Sequence, residues 1–91
     1  MVRSVKRHKR FLKDLRKVQL SDKHFARYIR YIACLIEERP LPKEALDHAL
    51  KGEYFGYGEF HISGDVLVIY KLTEDELWLI RIGSHSELFA K

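Results

Sequence analysis

The hydrophobic pattern of this chain changes its period about halfway along the sequence. In the first half, between Phe11 and Ile36, apolar residues recur every three or four positions, which is the spacing of amphipathic helices. Beyond residue 53 they alternate or run continuously in short segments, as in β-strands. A helical half followed by a stranded half predicts an α+β fold. With 91 residues, we expect the halves to share one core, as a single domain over residues 1–91.

The first half predicts a short edge strand over residues 2–6 and then a two-helix hairpin. The first helix is expected over residues 8–19. The second begins after an N-cap at Ser21 and ends near residue 38, because Pro40 forces the preceding residue out of the helical conformation. The outer side of the first helix carries a basic stripe that Asp14 interrupts. We name as candidate contacts for a polyanionic partner in this stripe Lys9, Arg10, Lys13, Arg16 and Lys17.

The second half predicts an antiparallel β-meander that the helices cover on one face. Strands are expected over residues 54–62, 66–72 and 77–83, with turns between them. The middle strand is apolar on both faces except at Lys71, which is typical of a central strand. Residues 41–53 are expected to form a loop with at most one helical turn.

The charge is divided unevenly between the two halves. Residues 1–45 carry 13 Lys/Arg and 5 Asp/Glu, a net charge of +8, whereas residues 46–91 carry 4 and 8, a net charge of −4. A strongly basic half favours a polyanionic partner, either nucleic acid or an acidic protein. A solvated helix face has the same composition, so the charge alone does not choose between these interpretations.

Cysteine content and hydropathy exclude several protein classes. The single cysteine, Cys34, excludes a disulfide framework and a Cys-based zinc cluster. The longest apolar runs, residues 31–36 and 66–70, fall far short of the roughly 20 residues that span a bilayer. The basic first residues are not followed by an apolar segment, so no secretory signal is predicted. We therefore expect a cytoplasmic protein with no membrane partner.

Strand alternation places reactive side chains on one face of the sheet. Glu59 and His61 point away from the face of Phe60. Arg81, in the last strand, lies near His61 if the faces coincide. Cleavage of RNA without a metal needs a base, an acid and a cation beside the phosphate. His61 suits either proton-transfer role and Arg81 suits the phosphate, while Glu59 could orient His61, act as the base or hold Arg81.

The same region could also be interpreted as a metal site. His48, His61 and His85, with Asp47 and Asp65, supply ligand types that metals use, but their spacing matches no compact ligand motif. We therefore predict no metal and no cofactor.

Four segments follow one another in a distinctive order: residues 47–52 (DHALKG), 59–62 (EFHI), 65–70 (DVLVIY) and 81–89 (RIGSHSELF). In this order they resemble the YafQ branch of the RelE/ParE toxins, from type II toxin–antitoxin modules. The resemblance covers nearly the whole chain, and residues 83–89 are its most specific part. It implies a microbial RNase-like fold, with an N-terminal strand and two helices packed on the meander.

The resemblance also implies an activity. Such toxins are endoribonucleases that cut mRNA in the A site of the 30S subunit and leave a 2′,3′-cyclic phosphate and a 5′-hydroxyl. Phe89 matches the aromatic residue that seats the RNA, and His61 with His85 is the expected proton-transfer pair. The catalytic positions that the resemblance assigns are His48, Glu59, His61, Asp65, Arg81 and His85.

The resemblance implies a partner as well. The expected antitoxin has an acidic tail and a DNA-binding domain of the ribbon-helix-helix or a similar type, and the toxin reaches operator DNA only through it. The basic stripe of the first helix would face ribosomal RNA or accept the antitoxin tail.

This chain departs from the family at Tyr54, Gly58 and residues 64–66, where the family has Trp, Arg and Pro-Asp-Trp. We expect weaker or differently specific positioning of the substrate. Two alternatives remain open: a ParE-like toxin that poisons gyrase without cutting RNA, and a catalytically degenerate toxin that acts only as a corepressor with its antitoxin.

Overall fold

The computed structural model describes residues 2–89, which form five strands and three helices. The strands are β1 (Ser4–Arg7), β2 (His48–Ala49), β3 (Gly58–His61), β4 (Leu67–Leu72) and β5 (Glu76–Gly83). The helices are α1 (Lys9–Leu15), α2 (Asp22–Ile36) and α3 (His85–Phe89). Single 3₁₀ turns lie at Lys43–Ala45 and Gly52–Tyr54. None of these helices is long and apolar enough to cross a membrane.

The strands form one sheet in the order β1-β5-β4-β3-β2. The strands β3, β4 and β5 pair antiparallel, as the predicted meander requires, and β1 pairs with β5 in parallel at one edge. The α+β prediction, with its N-terminal edge strand, is therefore confirmed.

The strand register decides which side chains share a face. Glu59 of β3 pairs with Ile69 of β4, and Ile69 pairs with Arg81 of β5. Because directly paired residues point to the same face, Glu59 and Arg81 face the same way, with one strand between them. His61, two residues beyond Glu59, shares that face.

Two hydrophobic clusters cover opposite faces of the sheet. The larger one packs α1 and α2 against the face that carries Phe60, and its buried members include Phe11, Tyr31, Leu35, Val68 and Leu79. The smaller cluster lies on the other face, where Leu67 and Ile69 contact Leu88 of α3. The helix hairpin therefore covers one face, as predicted, and α3 covers part of the second.

The predicted first helix is too long, and the second is nearly right. α1 ends at Leu15, after which the amide nitrogens of Lys17 and Val18 both donate to the carbonyl of Asp14 and close a turn. α2 has the predicted N-cap, since Ser21 Oγ accepts a 3.2 Å hydrogen bond from the amide of His24.

The sequence prediction omits β2 and α3. β2 is only two residues long, but it lies beside β3 and sets His48 opposite Glu59. α3 begins with a capping box: the Ser84 amide donates to Glu87 Oε1 at 2.9 Å, and the Glu87 amide donates to Ser84 Oγ at 3.2 Å. These hydrogen bonds hold the pKa of Glu87 below its ordinary value. Both omitted elements position histidines that the sequence singles out.

Gly58 lets the ring of Tyr70 lie against the backbone of β3. A Cβ at position 58 would lie 2.6 Å from Tyr70 Cζ. That ring cannot easily move, because it is 6% exposed and its hydroxyl donates to the Asp47 carboxylate. We expect Gly58→Ala to lower the free energy of unfolding by about 1–3 kcal/mol in urea denaturation. Gly64→Ala is the matched control, since a Cβ there meets nothing within 4 Å; equal losses in both variants would contradict this account.

Candidate active site

A buried carboxylate, Glu59, joins two of the predicted histidines. Its Oε2 lies 3.1 Å from His48 Nε2 and 3.2 Å from His61 Nε2, and its side chain is 5% exposed. Pairing of β2 with β3 brings His48 to this position, and alternation along β3 brings His61. The two imidazole rings lie 6.3 Å apart. The shared face of Glu59 and His61 agrees with the sequence prediction, and we refer to the three residues as the His48–Glu59–His61 cluster.

The hydrogen-bond network fixes the tautomer of His48. Its Nδ1 lies 2.7 Å from the carbonyl oxygen of Leu46, which can only accept, so Nδ1 carries a proton. The 3.1 Å contact between its Nε2 and Glu59 Oε2 places the imidazole and the carboxylate within hydrogen-bond distance.

His61 is held in an orientation that suits a base. When its Nε2 donates to Glu59, the ring is neutral only if Nδ1 carries a free lone pair. Within residues 2–89, no hydrogen-bond partner occupies this Nδ1, and the side chain is 25% exposed. The contact with Glu59 Oε2 thus fixes the direction of the His61 ring. Glu59 Oε1 is buried and has no hydrogen-bond partner among the described residues.

Arg81 is held by an acid that the sequence prediction did not assign to the site. Its Nε and Nη2 donate to the Asp14 carboxylate at 2.6 and 3.1 Å, and the amide of Ile82 also donates to that carboxylate. The hydrogen bond with Asp14 raises the pKa of Arg81, so the guanidinium stays charged. The Asp14 carboxylate therefore accepts the hydrogen bond of a β5 amide that β1 does not reach. The same carboxylate holds the Arg81 side chain in place. The place of Asp14 as the one acid in a basic stripe is the signal that could have found it.

Arg81 also lines a cavity of about 420 Å³ between α1, the turn after β3 and the start of α3. Lys17 and Asp65 line the same cavity, together with Ser84 and Glu87. Asp65 is exposed in a turn that Ser63 Oγ organises, by accepting from the amides of Asp65 and Val66. The structure thus places Asp65 with Arg81, and outside the His48–Glu59–His61 cluster.

His85 and Phe89 form a third group at the end of the sheet. Their rings lie 4.7 Å apart across one turn of α3, and Phe89 also contacts Tyr54 edge-on at 5.6 Å. His85 is exposed. Within residues 2–89 its ring contacts Phe89 and neither of the clustered histidines.

The basic stripe is exposed, as predicted, but extends past the end of α1. Arg16 and Lys17 belong to the turn after the helix. A surface depression of about 450 Å³ is lined mainly by basic residues of this stripe, namely Lys9, Arg10, Lys13 and Arg16. Arg10 additionally borders a cavity with Tyr54 and Arg81. The stripe therefore reaches the Arg81 side of the site.

Comparisons with a family model and with known proteins match this chain to the same group of toxins. A family model described as a bacterial toxin of type II toxin–antitoxin system, YafQ, matches residues 3–90. The mRNA interferase toxin YafQ of Escherichia coli K12 is 35% identical over 81 residues, which cover 87% of each chain.

Solved structures agree over nearly the full length. The E. coli DinJ–YafQ toxin–antitoxin complex contains a chain with a TM-score of 0.84 and 32% identity, covering 99% of this chain and 100% of that one. A copper-bound mutant toxin from Helicobacter pylori has a TM-score of 0.82 and 38% identity, covering 98% and 100%.

Proposed function

This chain belongs to the YafQ family of toxins from bacterial type II toxin–antitoxin systems, and on that premise we propose that it is an endoribonuclease that cleaves mRNA in the ribosomal A site. The observation that carries the proposal is the buried Glu59 carboxylate, which orients His61 through Nε2 and leaves Nδ1 free. The E. coli relative named as an mRNA interferase supports the same class of reaction.

The reaction is an attack of the ribose 2′-oxygen on the adjacent phosphorus. His61 Nδ1 takes the 2′-hydroxyl proton, the new O2′–P bond forms, and the P–O5′ bond breaks. His85 donates a proton to the departing 5′-oxygen. The products are a 2′,3′-cyclic phosphate and a 5′-hydroxyl, and the two histidines have exchanged protonation states. His48 contacts the other side of the Glu59 carboxylate and helps to hold it in place beside His61.

Sheet geometry supports this pairing of roles. β3 and β5 run in the same direction, with β4 between them, so His61 and Gly83 lie about 10 Å apart at the same end of the sheet. His85 follows Gly83 by two residues, in the first turn of α3. A phosphodiester between β3 and α3 would meet a base on one side and an acid on the other.

Two cationic side chains, Arg81 and Lys17, line the cavity where the phosphate would lie, together with the carboxylates of Asp14, Asp65 and Glu87. Two N–H groups of Arg81 are used by Asp14, so its remaining N–H groups are those that would contact the phosphate. Lys17 adds charge to the same cavity, and Asp65 lies across it. Phe89, supported by Tyr54, provides an aromatic surface for a neighbouring base.

The basic stripe of α1 supports a ribosomal location in the cytoplasm. Its exposed Lys and Arg side chains suit the phosphates of ribosomal RNA, in a contact that weakens with salt. The same charges suit the acidic tail of a cognate antitoxin with a DNA-binding domain, through which the pair would reach its operator. The DinJ–YafQ toxin–antitoxin complex of E. coli supports a cognate antitoxin as the partner.

We propose that the activity needs no metal ion, because the base, the acid and the cation are all side chains of this chain. Within residues 2–89, no group of three or more His, Cys, Asp or Glu side chains is arranged to hold a metal. A mutant toxin from H. pylori has a copper-bound structure, so the metal requirement of this chain needs a test. Toxin dialysed against EDTA should cut ribosome-bound mRNA at the same rate as untreated toxin. Activity restored only by added Cu²⁺ or Zn²⁺ would contradict metal independence.

Primer extension on mRNA after induction of the toxin tests the proposed function. Discrete cuts within codons, present with translating ribosomes and lost on naked mRNA, are the expected result. Growth arrest without cuts would favour a ParE-like toxin, and neither arrest nor cuts would favour a corepressor.

A further inference from the structure

A second groove, which does not include Arg81 or Lys17, is lined by His48. It has a volume of about 400 Å³, within the range of about 300–1,000 Å³ that is usual for small-molecule sites. Its walls combine the aromatic rings of Phe55, Tyr57 and Tyr70 with the carboxylate of Asp47. Among the described residues that line it, none is Lys or Arg, so the groove does not suit a phosphate.

Phe55 is the most exposed large apolar side chain among the described residues, with 80% of its surface accessible. It takes part in no ring contact within residues 2–89, whereas the Tyr57 ring already carries Lys71 Nζ at 5.4 Å. The backbone position of Phe55 is nevertheless defined, because the Phe55 amide donates to the Gly52 carbonyl at 3.0 Å. Gly52 and Gly56, before and after Phe55, have φ of +69° and +93°, backbone conformations that residues with a side chain rarely adopt. The turn thus presents an unpaired aromatic face.

The polar groups of the groove are also held in place. The Tyr70 hydroxyl donates to Asp47 Oδ1. Burial of Tyr70 and, to a smaller extent, this hydrogen bond raise the pKa of Tyr70, so the hydroxyl stays protonated. Asp47 is exposed, so its carboxylate can accept further hydrogen bonds. A carboxylate accepts from the exocyclic amino groups of adenine, cytosine or guanine, whereas uracil has no amino group and offers one N3–H donor between two carbonyl oxygens.

We propose that this groove binds one nucleobase of the RNA substrate, stacked on Phe55, with Asp47 as a hydrogen-bond acceptor that favours a base with an amino group. The proposal rests on the proposed function, because His48 both lines the groove and belongs to the His48–Glu59–His61 cluster. A base stacked there would hold its ribose and phosphate close to the acid–base groups.

The test compares cleavage of ribosome-bound mRNA by the unaltered chain and by the variants Phe55→Ala, Phe55→Trp and Phe25→Ala. Stacking on an aromatic side chain contributes about 1–3 kcal/mol per base, so Phe55→Ala should lower kcat/KM about 5- to 150-fold. Phe55→Trp keeps a stacking surface and should retain activity. Phe25, which is 51% exposed on α2, controls for the loss of an exposed aromatic ring. Replacing the favoured base in the message by uracil should reduce cleavage by the unaltered chain more than by Phe55→Ala.

A parallel titration with the cognate antitoxin separates RNA from protein as the occupant. Unchanged antitoxin affinity with reduced cleavage by Phe55→Ala supports the proposal. Normal cleavage by Phe55→Ala overturns it, and a simultaneous loss of antitoxin affinity would assign the groove to the antitoxin. If the unaltered chain cuts no ribosome-bound mRNA, both the proposed function and the groove proposal fail.

Discussion

Replacing His85 with alanine is expected to lower the rate of mRNA cleavage by about 10²–10⁴-fold, the usual contribution of a general acid. Without His85 the 5′-oxygen would leave as an alkoxide, which is a poor leaving group at neutral pH. In cells, the variant should no longer arrest growth when it is induced without antitoxin. The measurement is the single-turnover rate of cleavage on programmed ribosomes.

The His85→Ala substitution should lower the rate of the chemical step and leave folding and antitoxin binding unchanged. His85 is exposed, and the capping box that starts α3 uses Ser84 and Glu87, so the variant should keep its free energy of unfolding and its affinity for antitoxin. His24→Ala is the matched control, because the hydrogen bond of His24 in α2 comes from its backbone amide. Equal toxicity of His85→Ala and the unaltered chain would exclude His85 as the acid.

Replacing Glu59 with glutamine is expected to lower the cleavage rate by about 10²–10³-fold, because a neutral amide stabilises a protonated His61 less and no longer fixes its ring for proton transfer. The ¹⁵N-detected signals of the two imidazoles provide a readout that a merely structural role would not move. In the unaltered chain, the Nε2 proton of His61 should appear as hydrogen-bonded, and in Glu59→Gln that signal should change.

When an apolar residue replaces Glu59, we expect the free energy of unfolding to stay the same or to rise, although activity is lost. Glu59 is buried and its Oε1 has no partner in the described part of the chain, so an apolar side chain of similar volume should pack there at no cost. We expect Glu59→Met to be inactive but as stable as the unaltered chain, or more stable by about 1–4 kcal/mol in urea denaturation. A variant that is both active and less stable would show that Glu59 is structural.

The sequence predicts the elements that repeat a pattern and misses those that do not. α2 has a long apolar stripe and a serine N-cap, and β4 has a continuous apolar run, so both are predicted nearly to the residue. β2 has two residues and no periodicity to detect, although it brings His48 to Glu59. α3 has five residues, and its Ser84-x-x-Glu87 capping box is a readable signal that the prediction did not use.

The candidate site divides in the same way. Strand alternation correctly places Glu59 and His61 together, because side-chain direction in a strand follows from sequence position alone. The pairing of Arg81 with Asp14 joins residues 67 positions apart, so it depends on the packing of α1 against β5, which local patterns do not encode. The Tyr70 ring over Gly58 depends likewise on β3–β4 register.

In the proposed mechanism, the nucleophile is the ribose 2′-hydroxyl and histidines move the protons. An mRNA with one 2′-deoxynucleotide on the 5′ side of the cut tests this most directly, on ribosomes programmed with that message. We expect that the substituted position is not cut while the unmodified message is, and that the unmodified message ends in a 2′,3′-cyclic phosphate. Cleavage of both messages at the same rate would show that water is the nucleophile and would contradict the mechanism.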